Sequence, residues 1–352
     1  MTDKPLALNV VHRPPGGQAI LYQTEHRYLG LLEDRFGPRF LDYRNAWAQA
    51  AHRSDPGPFP LSLDLAINSG CDLSCLMCPL PGNPSDRAYQ PIDPNLYENL
   101  MAQAKEAALP ALTLGLASEP LLNPKAPQYI AMAERANVMD IRLGTNGQAL
   151  TAPLIEALLE SGLTRLEISL DAFYPNTYGL IRRGGKLQPL EAAIDYFLNQ
   201  RAKRSQALPL LRLSFLTLPQ NQNELEPFLE RWSDSADLIS IQKPIWFPGS
   251  RLPKPTTKQN SGAGSDFGPG PNSEPPLEKS FCQQPWQRLG LDQEGRVWPC
   301  CNWYGRDLLG LSAQSASIAQ IWQSPTLNAL RQNHLADRLP APCQACSEAG
   351  GF

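Results

Sequence analysis

LSLDLAINSGCDLSCLMC, residues 61–78, joins an apolar run to three cysteines in the order Cys71-x3-Cys75-x2-Cys78. The run is short, rich in large aliphatic residues and followed by Ser-Gly, which reads as a strand ending in a loop. It is the first of six such runs, at 61–68, 112–116, 140–144, 164–170, 210–218 and 238–243. Segments with helical spacing lie between them, at about 94–108, 126–137, 152–161, 188–203 and 223–234. Strands alternating with helices of this length predict successive βαβ units and a parallel sheet. Spacing alone leaves an open barrel and a doubly wound sheet both possible.

Outward from this region the pattern breaks on both sides. Residues 1–60 form an extension with Pro14-Pro15-Gly16-Gly17, a helix candidate at 40–51 and turn formers at 53–60. Residues 249–279 are rich in Gly, Pro, Ser and Asn and read as a linker or mobile loop. The block 280–352 has a hairpin candidate at 289–299 turning at Asp292–Gly295, then an amphipathic helix at about 318–334. It also holds five of the eight cysteines.

Composition excludes several classes. Of 352 residues, 42% are hydrophobic, enough for a sizeable core, while 35 prolines predict many turns. The net charge of −3 leaves no basic footprint for nucleic acid. No run of 20 apolar residues occurs, so no membrane helix is expected, and the first residues lack the apolar region of a signal peptide. Cysteines in a chain without an export signal point to metal or redox chemistry in the cytoplasm rather than to disulfides.

Three thiolates from one loop can hold three irons of a 4Fe–4S cube and leave the fourth iron open, as a cluster that binds a cofactor directly requires. A zinc knuckle or buried structural cysteines are the rival readings. Structural zinc wants four ligands, and no His lies near this loop. Placed after the first strand, the set resembles the signature of the radical S-adenosylmethionine (radical SAM) superfamily. Glu119-Pro120 after the second strand resembles that family's Gly-Gly-Glu-Pro segment, with Ala117 and Ser118 where two glycines are usual. Thr145-Asn146-Gly147 resembles its Thr-Asn-Gly. Ser169, Asp171, Arg182 and Arg183 lie in a segment resembling the one that holds the cofactor's carboxylate and ribose, and Met77 stands where an aromatic residue often meets the adenine.

The resemblance implies a partial (β/α)6 TIM-like barrel at 61–248. It also implies that Glu119 receives the cofactor's ammonium group and that an Arg at 182 or 183 forks onto its carboxylate. Cys282, Cys300, Cys343 and Cys346 resemble the shortened, twitch form of the SPASM domain at 280–352. They imply one auxiliary 4Fe–4S cluster, against a zinc ribbon as the rival. Cys301 is left over, either a hydrogen-atom donor or a buried residue beside Cys300. Lys243, ending the sixth run, is an acid/base candidate or a surface residue. The implied activity is reductive cleavage of S-adenosylmethionine and hydrogen-atom abstraction, oxidising or cross-linking a peptide or a small biosynthetic intermediate. A flavodoxin- or ferredoxin-type protein is the implied reductant. Peptide epimerisation and a non-catalytic metal-binding scaffold are the alternatives.

Overall fold

The structure, a computed structural model, describes residues 19–22, 25–50, 55–80, 84, 88–253, 282–349 and 351. The stretch at 14–17 and most of the 249–279 segment lie outside them. Nine strands form one sheet: β1 (Ala19–Tyr22), β2 (Ser62–Leu65), β3 (Ala111–Leu114), β4 (Asp140–Thr145), β5 (Arg165–Ser169), β6 (Leu210–Leu216), β7 (Leu238–Gln242), β8 (Arg288–Leu291) and β9 (Val297–Trp298). Their order is β1-β7-β6-β5-β4-β3-β2-β8-β9. Strands β2 to β7 are parallel and adjacent in chain order, with helices between them, which is the partial α/β barrel.

Each strand segregates its side chains by parity. In β5, Leu166 and Ile168 are fully buried in the main apolar cluster, while Arg165, Glu167 and Ser169 face the other way and are half-buried. The helices start where sequence chemistry tells them to. Asp93 caps Pro94–Glu106 by accepting from Asn95 N, and Thr151 caps Ala152–Glu160, each with proline in the first turn. Tyr97 and Tyr129, 4.3 Å apart, pin Pro94–Glu106 to the next helix, Ala126–Arg135.

Three features depart from the sequence reading. β1, from the N-terminal extension, adds antiparallel to β7. The helices Glu25–Phe36 and Pro38–Gln49 close the N-terminal end of the parallel strands, with Leu32, Phe40 and Tyr43 packed on Ala111, Met139, Leu210 and Leu238. Only the second of these helices was expected. The hairpin at 288–298 turns at Asp292–Gly295 as expected, with Gly295 at φ +77°. It is no separate unit, because β8 pairs in parallel with β2 and carries the sheet onward. Ile318, Ile321, Trp322 and Leu327 join the same buried cluster as β2 and Pro94–Glu106.

The expected helix 318–334 is two, Ile318–Trp322 and Pro325–Leu335. Proline cannot continue a helix, and Ser324 caps the second at Leu327 N. Among the described residues no helix is long and apolar enough to cross a membrane.

Candidate active site and auxiliary cysteine site

The loop after β2 carries Cys71, Cys75 and Cys78 to the C-terminal edge of the sheet. Two backbone bonds stitch it to the segment after β5: Ser74 N donates to Arg183 O (3.0 Å) and Leu76 N to Ile181 O (2.9 Å). Arg251 holds it from the far side through Leu76 O and Ser74 O. Cys75 is buried, Cys71 and Cys78 are half-buried, and all three are free thiols. An N–H group faces each sulfur: Asn146 Nδ2 at 3.9 Å from Cys71, Arg182 Nη1 at 3.9 Å from Cys75 and Leu80 N at 3.5 Å from Cys78. Burial pushes the Cys71 thiol up to about 12 and raises Cys75 despite Arg182. Metal must therefore displace protons from these sulfurs as it binds. Three sulfurs, each answered by a donor, are a donor set that fits an anionic iron–sulfur cluster.

Glu119 is the hub of the same edge. It is 2% exposed. Oε1 accepts from Thr145 Oγ1 (2.6 Å) and Leu121 N (3.1 Å), and Oε2 accepts from Asn146 N (2.7 Å). Its backbone bonds Gly70 and Asn68, so one residue ties together the loops after β2, β3 and β4. Burial raises its carboxyl to about 7, with the three donors pulling the other way. Just before it, Ala117 holds φ +48°. Where two glycines are usual, this chain carries an L-residue in the left-handed region at a cost of about 1–2 kcal/mol. Ala117→Gly is expected to raise stability by about 0.5–1 kcal/mol, less than the strain because glycine loosens the unfolded chain. A lower denaturation midpoint would mean that the Ala117 methyl, packed near Leu116 and Trp303, contributes more than its backbone costs.

Beyond the hub, Asp171 uses both oxygens inside the protein. Oδ1 accepts from Leu216 N (2.8 Å), and Oδ2 meets Arg182 Nε and Nη2 at 2.6 and 2.5 Å. The ion pair turns the third guanidinium nitrogen toward Cys75, so Asp171 positions Arg182. Arg183 is exposed, and Ser169 is half-buried on the face of β5 that carries Glu167. Met77 packs against the buried cluster of Leu76, Ile181 and Leu218. Lys243, after β7, is exposed. Sequence reasoning missed Asp72, which accepts from Asn146 Nδ2 at 2.6 Å and locks that side chain over Cys71. It also missed Glu224, which caps the loop after β5 at Phe173 N and Tyr174 N. Their partners are 74 and about 50 residues away, with no local signature.

In the C-terminal block, Cys282, Cys300, Cys343 and Cys346 ring one cavity, closed by Tyr304, His334 and Leu330. Cys301 is outside it, exposed, with its Sγ on Gln284 Oε1 at 3.2 Å. Among the described residues no three His, Cys, Asp or Glu side chains converge tightly enough for a single ion. Four thiols lining one cavity are a donor set that fits a 4Fe–4S cluster. Two glycines keep that space open. A Cβ at Gly305 would lie 2.7 Å from Cys300 Sγ, and one at Gly351 2.2 Å from Cys346 Sγ. Gly305→Ala is expected to lower iron in this site while sparing the first. Tyr304 connects the two ends of the molecule, donating to Trp246 O at 2.8 Å, and Trp298 and Trp303 pack with Ala66, Leu116 and Ala117 between them.

Comparison with known proteins agrees with this geometry. Residues 65–229 match the model of the radical SAM superfamily, and residues 282–347 match that of an iron–sulfur cluster-binding domain, SPASM. The chain belongs to the radical SAM superfamily. Membership brings 4Fe–4S clusters and S-adenosylmethionine as its cofactors. Among sequence relatives, this radical SAM protein is 30% identical over 177 residues to the GTP 3′,8-cyclase of Lactiplantibacillus plantarum, covering 48% of this chain and 50% of that one. The chain spans about half the length of the curated relatives it matches. Among solved structures it is similar to Streptococcus suis SuiB bound to S-adenosylmethionine (TM-score 0.61, 16% identity, 83% of this chain and 72% of that). It is also similar to anSMEcpe with bound AdoMet (TM-score 0.54, 13% identity, 83% and 96%). At these identities the likeness is one of fold.

Proposed function

We propose that this chain is a radical SAM oxidoreductase that oxidises or cross-links a peptide or a small biosynthetic intermediate. A flavodoxin- or ferredoxin-type protein is its reductant. The observation that carries the reading is the pairing of two cysteine sets of different valency. Three donor-faced thiols lie at the barrel edge, and four ring a cavity in the C-terminal block. Cys71, Cys75 and Cys78 would hold a 4Fe–4S cluster, which would supply the electron for reductive cleavage of S-adenosylmethionine and so the hydrogen-atom abstraction from the substrate.

The chain's own residues hold and orient. Glu119 receives the cofactor's ammonium group through the acceptor site its three donors leave. Arg182, braced by Asp171, sets a positive charge beside Cys75 and the cofactor's carboxylate. Asn146 is fixed by Asp72, Ser169 offers a hydroxyl from β5, and Met77 lines the adenine side. Cys282, Cys300, Cys343 and Cys346 would hold the auxiliary cluster, which would accept the second electron or position the substrate. Lys243 and Arg183 are exposed, Lys243 as the acid/base candidate after β7 and Arg183 as the alternative to Arg182 for the cofactor's carboxylate.

Cys301 decides between oxidation and epimerisation. Its sulfur is tied to Gln284 outside both sets, so Cys301→Ala is expected to keep both clusters and most product, whereas loss of Cys343 or Cys346 stops turnover. The test is turnover in deuterated water. Deuterium at a product stereocentre, lost in Cys301→Ala, would make this a peptide epimerase. The sequence similarity to GTP 3′,8-cyclase favours a second reading, with GTP as substrate. Turnover of GTP by the reduced protein with S-adenosylmethionine would establish it.

A further inference from the structure

The end of the sheet opposite the cysteine loop encloses a second cavity of about 140 Å³. It lies between the helix Pro38–Gln49 and the first residues of β2, β3, β4, β5 and β8. At about 30 Å³ per water it has room for a few waters, or for one tetrahedral oxyanion. Its wall is cationic: Arg44, Arg142, Arg165 and Arg288 line it with a single carboxylate, Asp140. Tyr43 and Trp47 roof it, the Trp47 ring 5.0 Å from the Arg288 guanidinium.

The local ion pairs do not use up this charge. Asp64 holds Arg288 at 3.0 Å and Asp140 holds Arg165 at 3.1 Å. Glu167 is shared, 3.6 Å from both Arg142 and Arg212. Among the described residues Arg44 has no carboxylate partner, and Arg142 shares Glu167 with Arg212. The Arg142 guanidinium meets Glu167 only at 3.6 Å, and the buried Nε of Arg288 has no partner among the described residues. Burial alone would raise the Glu167 carboxyl, yet Arg212, Arg142 and Arg165 hold it down to about 2. The field at this end of the barrel is positive.

Excess positive charge in a half-buried cleft is costly unless an anion answers it, and guanidinium forks match tetrahedral oxyanions. We propose that the floor of the partial barrel is a second binding site, for a phosphate-sized oxyanion, gripped by Arg142 and Arg288 from the strands and by Arg44 from the helix above. It is separate from the cysteine-bearing edge and independent of the reaction proposed there. It also gives the N-terminal helices a task beyond closing the core.

The experiment is thermal unfolding of the full, cluster-loaded chain in inorganic phosphate, in glycerol 3-phosphate and in chloride at equal ionic strength. Phosphate is expected to raise Tm saturably and chloride is not. Arg142→Gln should weaken the apparent phosphate affinity roughly tenfold or more, with iron content unchanged. Arg44→Gln, on the half-exposed helix, should weaken it in the same direction and carries the test if Arg142→Gln does not fold. A tighter response to glycerol 3-phosphate would mean a phosphate carried on an organic molecule, and an equal or weaker one the free ion. The same Tm rise in chloride, or an undiminished phosphate response in the variants, would reduce the arginines to a structural network and overturn the proposal.

Discussion

Replacing Cys71, Cys75 and Cys78 together with alanine is expected to leave about four irons per chain where the reconstituted protein holds about eight, and to abolish cleavage of S-adenosylmethionine. The size of the effect follows from independence. The barrel-edge thiols sit on the loop after β2, stitched to residues 181–183, while the other four surround a cavity built from residues 282–285, the turn after β9 and the helix Ala341–Glu348. No sulfur belongs to both. Losing the first set should therefore remove one cube cleanly and spare the second. Iron and acid-labile sulfide in anaerobically reconstituted protein, with 5′-deoxyadenosine release as the activity readout, check both halves. Zinc retained in the C-terminal block, or cofactor cleavage surviving the triple substitution, would defeat the assignment.

Glu119→Gln is expected to cost ten- to a hundredfold in cofactor affinity, the value of one charge-assisted hydrogen bond of about 1.5–3 kcal/mol. Two carboxylate oxygens offer about four acceptor sites. Thr145, Leu121 and Asn146 take three of them. The amide of a glutamine keeps the shape but loses the charge, and its N–H groups turn a donor toward a donor. The pH dependence is a second readout. With the Glu119 carboxyl raised to about 7, the ionised form that can receive an ammonium group is depleted as pH falls below that value. Cofactor affinity should therefore decline below pH 7 and level off above it, and the glutamine variant should lose that slope. Stability of the unliganded protein should run the other way. The raised value means that the buried carboxyl ionises at a cost, so stability declines as pH rises from about 4.5 to about 7. An affinity unchanged in Glu119→Gln, with iron intact, would place the ammonium group on another edge of the barrel.

The parallel core was legible from residues 61–243 alone. Apolar period and turn residues are local, and the six strands show themselves as short runs in which large aliphatic residues recur at every second position. The first cysteine set was legible for the same reason, because a cluster loop concentrates its ligands within a few residues, whereas the second is spread over residues 282–346 and was legible only by its resemblance to the SPASM domain. The break at Pro325 was written in the sequence and went unread, since a long amphipathic pattern masked a Ser-Pro helix start.

What the sequence by itself determined about this protein is therefore its repeating strand–helix order, its cysteine spacing and the division of its thiols into three, four and one. Tertiary structure alone decided the rest. It brought Asp72 onto Asn146, closed Asp171 on Arg182, docked β8 beside β2 and gathered four arginines from β4, β5, β8 and the helix Pro38–Gln49 round one cavity. Those partners lie from 11 to more than 200 residues apart. Their pairing depends on which strand edge is free and which buried charge lacks a counter-charge. Both are properties of the assembled sheet, and neither has a period or a spacing for a sequence to show.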